Sequence, residues 1–162
     1  TVLGTGTAGF SGDGGAGTAA QVDSPRSLAV GPDGSLYVAD QNNCRIRKLD
    51  AAGIVTTIAG TGTCSTTGDG GAATSATFNL PSAVAVDPEG VLYVSDELGR
   101  RVRRIDTAGI VTTVLGTGTA SSTGDGGAAS SATVNTPIGL AVDGDGRLLV
   151  ADYTSHRIRR IG

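Results

Sequence analysis

Aromatic side chains are nearly missing: 162 residues include three Tyr, two Phe and no Trp. So few rings leave little on which bases could stack, and a net charge of −3 provides no basic field to gather phosphates. Nucleic acid is therefore not an expected partner. No apolar run is long enough to span a bilayer and no signal or transit pattern is present, so a membrane is not expected either. Histidine occurs once, at His156, and no serine or threonine is paired with a plausible base, which speaks against nucleophilic catalysis. No enzymatic activity, no cofactor and no metal are expected. Methionine is absent altogether, initiator included, and points to a processed or excised segment.

What the chain has in abundance is glycine, 27 residues, placed at regular intervals. Asp13, Asp69 and Asp125 each sit in GDGG, and a step of 56 residues carries each to the next. The same step relates Pro25, Pro81 and Pro137, then Asp40, Asp96 and Asp152, then Arg45, Arg101 and Arg157. A repeat of this length is a supersecondary unit that cannot bury its own faces, so like units must stack.

Within the first repeat, short runs bounded by turns predict strands at 27–30, 35–40, 45–50 and 54–60. The second repeat predicts 83–87, 91–96, 101–106 and 110–116, and the third 139–143, 147–152 and 157–161. The glycine-rich inserts ahead of each proline are too polar for core strands. Asp13 is read as accepting from backbone N–H groups ahead of a short helical turn through Ala16–Ala20, an N-cap role. Thr1–Gly4 matches Thr57–Gly60, the end of a fourth strand, and is the piece the third repeat lacks. The expectation is an all-β propeller with three four-stranded blades: blade 1 at 25–60, blade 2 at 81–116, and blade 3 at 137–162 closed by strand 1–4.

These residues resemble the NHL-repeat family over the whole chain. The carriers are AVDPEGVLYVSD at Ala85–Asp96, RVRRID at Arg101–Asp106 and AGIVTTVLGTGT at Ala108–Thr119, each with a copy before or after it. The resemblance implies a propeller usually of six blades, and functions that include RNA-binding platforms, protein-interaction modules, extracellular sensor domains and, less often, lyases. The lyases similar to this family use several histidines on a metal, which the lone His156 does not match.

Three blades per chain then imply a homodimer that closes a six-bladed ring, Thr1–Gly4 of one chain pairing with Arg157–Ile161 of the other. The flush seam resembles an engineered or excised propeller segment, and the drift among 41–44, 97–100 and 153–156 favours a natural sequence trimmed to three blades. The function expected is a non-catalytic scaffold or binding module that self-assembles. The alternative is a recognition or sensor domain of an extracytoplasmic bacterial protein, taking a peptide, glycan or small molecule on the insert-bearing face.

Candidate residues of that face are Asp13, Asp69, Asp125, Asn42, Asn43, Glu97, Arg100, Tyr153 and His156. The three aspartates are expected around the channel mouth, as turn carboxylates or as holders of a cation. Asp40, Asp96 and Asp152, with Arg45, Arg101 and Arg157 five residues on, are read as structural pairs that tie down the connections. Arg47, Lys48, Arg103, Arg104, Arg159 and Arg160 are expected to lay their stems across blade edges. Cys44 and Cys64 break the repeat. If strands three and four form a hairpin, both reach one rim, and they are read either as a disulfide of an oxidising compartment or as two free thiols.

Overall fold

A computed structural model describes residues Thr1–Gly162 as three antiparallel sheets in succession. The first holds β1 (Pro25–Val30), β2 (Leu36–Asp40), β3 (Arg45–Leu49) and β4 (Val55–Ala59) in meander order. The second repeats it with β5 (Pro81–Val86), β6 (Leu92–Asp96), β7 (Arg101–Ile105) and β8 (Val111–Leu115). The third has β9 (Pro137–Val142), β10 (Leu148–Asp152) and β11 (Arg157–Ile161), with β11 at its outer edge. All the strands expected between Pro25 and Gly162 are present, whereas Thr1–Gly4 forms no strand within the single chain and the third sheet has three strands. The first strand of each sheet starts earlier than expected, at the proline itself, because Pro25, Pro81 and Pro137 pair with Asp40, Asp96 and Asp152 across a bulge.

The first strands are the inner ones: β5 packs against both β1 and β9. Ser27 Oγ accepts from the Val84 N–H at 3.3 Å, and Ser82 Oγ donates to the Pro137 carbonyl at 3.0 Å, joining neighbouring blades there. Between blades 1 and 2 lies the main core, where Ala39, Ile46, Val84, Val94 and Phe78 are buried together. Between blades 2 and 3 a second cluster joins Val102, Leu115, Val134 and Val150. Burial of this kind, face against face, is what a repeat cannot do alone.

The first two inserts run back along an outer strand. Gly14 donates to the Val55 carbonyl and Val55 to Gly15, and Gly70, Gly71 and Val111 repeat the exchange in blade 2. The insert must pass close to itself: Gly68, at φ +92°, would place a Cβ 2.8 Å from Ala76, so no larger residue fits. Each insert also holds one 3-10 turn, at Gly17–Ala19, Ala73–Ser75 and Ala129–Ser131. Its N-caps are Ala16, Ala72 and Ala128, with no side-chain cap bond, so the N-cap role expected for Asp13 is not what that aspartate does.

Candidate functional site

Asp13, Asp69 and Asp125 are each held by the middle arginine of a third strand. Arg47 donates to Asp13 at 2.8 Å, Arg103 to Asp69 at 2.9 Å and Arg159 to Asp125 at 2.9 Å. Each guanidinium also grips two carbonyls of the insert: Ser11 and Gln21, Thr67 and Thr77, Thr123 and Thr133. These arginines do not lie across blade edges as expected. Arg47 and Arg103 are fully buried, and the guanidinium's donors match the acceptors that a folded-back insert turns inward. Their invariance among the repeats does not single them out, since Arg45, Arg101 and Arg157 are invariant as well.

A threonine on the outermost strand completes the cluster. Thr57 Oγ1 donates to Asp13 and Thr113 Oγ1 to Asp69, both at 2.7 Å. Asp13 and Asp69 therefore lie at the outer strands, between arginine and threonine, Asp125 lies beside Arg159 without a threonine, and none of the three is around the channel mouth. Neutralised in this way, they serve to lock the insert.

Asp40, Asp96 and Asp152 are fully buried at the ends of β2, β6 and β10. Each accepts from a backbone N–H of the segment ahead of the proline: Asp23 at 2.7 Å, Asn79 at 2.7 Å and Asn135 at 3.1 Å. They do tie segments together, but not through the expected arginines. Arg45 reaches the carbonyls of Asn43 and Thr61, and Arg101 those of Gly99 and Thr117, because strand pairing sets Arg45 and Arg101 beside Asp40 and Asp96 with their side chains turned to the rim. The cation nearest Asp40 is Arg47, at 3.3 Å, and the one nearest Asp96 is Arg103, at 3.6 Å.

The two carboxylates differ in their remaining partners. Asn43 donates to both oxygens of Asp40, whereas its counterpart in blade 2 is Gly99, and one Asp96 oxygen is left without a hydrogen bond. Burial pushes the Asp40 carboxyl above its ordinary range, against the pull of the Asp23 N–H and Asn43. In Asp96 burial wins further and raises the carboxyl to about 6.

The connections carry the remaining candidates. Cys44, Arg100 and His156, unlike in side chain, share a left-handed backbone at φ +50°, +50° and +54°. Asn42 donates to Asp23 and Ser24, Asn43 also to the Gly9 carbonyl, and Arg100 to the Leu98 carbonyl. Glu97 accepts from Gln41 at 3.3 Å, a bond between equivalent positions of adjacent blades. Tyr153 and His156 are exposed. Cys44 and Cys64 form a disulfide, Cα to Cα 5.4 Å, which joins the blade 1 connection to the insert ahead of blade 2. No group of three or more His, Cys, Asp or Glu side chains is arranged to hold a metal ion.

Stacked antiparallel meanders packed through their inner strands, each with a rim insert pinned by a buried arginine, define a β-propeller segment of NHL-repeat type. The chain belongs to the family of the teneurin NHL domain, whose profile matches residues 5–50 and 50–123, and the NHL repeat profile matches residues 134–161. Teneurin-4 of Homo sapiens is 34% identical over 157 residues, covering 85% of this chain and 6% of that protein. A Bacteroides thetaiotaomicron protein of unknown function superposes with a TM-score of 0.71 at 31% identity, over 79% of this chain and 32% of that one. Virginiamycin B lyase of Staphylococcus aureus, at 16% identity and a TM-score of 0.52 over 85% of this chain and 40% of that one, shares the fold alone. The chain thus spans a small part of the length of these relatives.

Proposed function

We propose that the chain is a non-catalytic propeller module that works as a scaffold, and that its blades complete a ring with those of a second copy. The observation that carries this reading is the contrast between its two ends. Leu28 and Val30 on β1 are each 65% exposed, while their counterparts Val84 and Val86 pack into the core between blades 1 and 2. Ile158 on β11 is 72% exposed, while its counterparts Ile46 and Val102 are fully buried. Apolar faces of this kind at both ends favour further blades as partners over solvent. The expected result of light scattering after size exclusion is a discrete species of twice 15.9 kDa that does not change with concentration. A monomer at every concentration would refute it.

A second reading takes the connection face as a recognition surface of an extracytoplasmic protein. It is supported by the Cys44–Cys64 bridge, which suits an oxidising compartment, and by Tyr153 and Leu98, exposed on the same face. Screening peptides, glycans and small molecules for chemical-shift changes at Tyr153 and Glu97 tests it.

A further inference from the structure

Resting on the ring reading above, we infer that β11 and the third insert form a strand-acceptor groove whose occupant is the Thr1–Thr5 segment of a second copy, in one register. The groove, about 370 Å³, is lined by Arg157–Ile161 on one side and by Asp125, Ala129 and Leu115 on the other. In blades 1 and 2 the corresponding space holds β4 and β8.

The register comes from the two filled cases. Arg47 pairs with Thr57 and Ile46 with Ala59; Arg103 pairs with Thr113 and Val102 with Leu115. Carried one repeat further, Arg159 calls for the residue that matches Thr57 and Thr113, and Ile158 for the one that matches Ala59 and Leu115. In this chain those are Thr1 and Leu3. Thr1–Ala8 reproduces Thr113–Ala120 without a change.

The segment is already shaped for the part. Gly4 N–H donates to the Gly17 carbonyl at 3.0 Å, as Gly60 N–H donates to Ala73 at the end of β4, and Gly4 has φ +99° where Gly60 and Gly116 have +90° and +95°. Its own first insert thus holds it in the course of a fourth strand. Nothing in the same chain pairs with its other edge.

The acceptor side has matching unmet needs. Asp69 accepts from Thr113, but no threonine donates to Asp125, whose side chain is 63% exposed against 48% for Asp69. Arg45 and Arg101 grip the carbonyls of Thr61 and Thr117, two residues past the strand end; Arg157 has no carbonyl at that place and turns instead to the Ser122 carbonyl at 3.0 Å and to Asp125 at 3.5 Å. The carbonyl that corresponds to Thr61 and Thr117 belongs to Thr5. The docked segment therefore gives Asp125 its hydroxyl from Thr1, covers Ile158 with Leu3 and gives Arg157 the Thr5 carbonyl. Main-chain bonds supply the affinity and these three contacts set the register.

The test uses the 162-residue protein. Two single variants, Leu3→Cys and Ile158→Cys, are oxidised separately and as a mixture, and covalent dimer is scored on non-reducing gels. Covalent dimer in the mixture, at least tenfold above either variant alone, is the expected result, together with a monomeric but folded Ile158→Asp chain. Ile158 is exposed in the single chain, so that substitution leaves the blade intact and reads the interface alone. A dimer by light scattering that does not cross-link and persists in Ile158→Asp overturns this register while leaving self-association standing. A monomeric wild type overturns both.

Discussion

Blades 2 and 3 are built from nearly the same sequence unit, yet the same positions have different fates. Val102 is fully buried and its counterpart Ile158 is 72% exposed; Arg103 is fully buried with Asp69 and Thr113, while Arg159 faces Asp125 with no hydroxyl beside it. The side chains are matched, so the difference lies in the neighbours: blade 2 has a sheet on each side and a fourth strand, and blade 3 has neither on its outer side. In such an array the stability of a unit is the sum of its own folding and of the interfaces on each side. Position in the stack, and not the repeat sequence, decides what a given arginine contributes.

The largest expected effect breaks this comparison at the arginine. Arg103→Ala leaves Asp96 buried without its nearest cation and frees the Thr67 and Thr77 carbonyls, and should cost about 3–5 kcal/mol. Arg159→Ala, measured in the Ile158→Asp background, also frees two carbonyls, of Thr123 and Thr133, but its aspartate is 63% exposed and no ion pair links it to Asp152, so it should cost less, about 2 kcal/mol. Urea unfolding of the two variants checks the ratio. Equal losses would mean that the neighbouring sheet adds nothing to the arginine lock.

Blade 1 differs from blade 2 by a covalent link. The Cys44–Cys64 bridge closes 20 residues of sequence, and the loop-closure estimate for such a ring is about 3 kcal/mol. Cys64→Ala with Cys44→Ala, or reduction of the wild type, should lower the urea midpoint accordingly. A midpoint that does not move would show that Gly60–Asp69 is already ordered without the link.

The fold was legible because the 56-residue step placed prolines, aspartates and glycines in register three times. Strand order, meander connectivity and the exposed outer edge of blade 3 all follow from that spacing. The arginine lock was not legible. An Arg-x-Arg pair on a strand shows two cations on one face, and pattern alone cannot tell that one points to the rim and its neighbour is buried, since burial of an arginine depends on acceptors supplied 26 and 36 residues away in sequence. The same limit applied to Asp13: GDGG reads as a turn or cap, and only the folded insert reveals Arg47 and Thr57 on either side of it. The cysteine pair was open for the opposite reason. The geometry allowed a bridge, but nothing in the spacing required one.

A smaller effect separates Asp40 from Asp96. Because burial raises Asp96 to about 6 in the folded chain, the folded state binds its proton more tightly than the unfolded state, whose carboxyl titrates near 4. Stability should therefore fall as pH rises from about 4 to about 6, by about 2–3 kcal/mol from this group, and the loss should be complete above pH 6. Asp96→Asn should flatten that slope. Gel-free thermal or urea unfolding across pH 4 to 7 measures it, and an unchanged slope in Asp96→Asn would assign it elsewhere.

The finest test concerns the hydroxyl that blade 2 has and blade 3 lacks. Thr113→Val keeps the shape and β-branching of the side chain and removes one donor to Asp69. A hydrogen bond to a buried charged acceptor contributes about 1.5–3 kcal/mol, and Asp69, with a side chain 48% exposed, recovers part of that from water, so about 1 kcal/mol is expected. Thr112→Val, at the preceding residue of the same strand, should be neutral within about 0.5 kcal/mol, because Thr112 makes no hydrogen bond to Asp69. If the two variants lose the same amount, the threonine position is a matter of strand propensity and the argument that Asp125 calls for Thr1 weakens. If Thr113→Val alone is costly, and Thr1→Val weakens association of two chains by a comparable factor of about five to ten, then one hydroxyl performs the same task inside blade 2 and between copies.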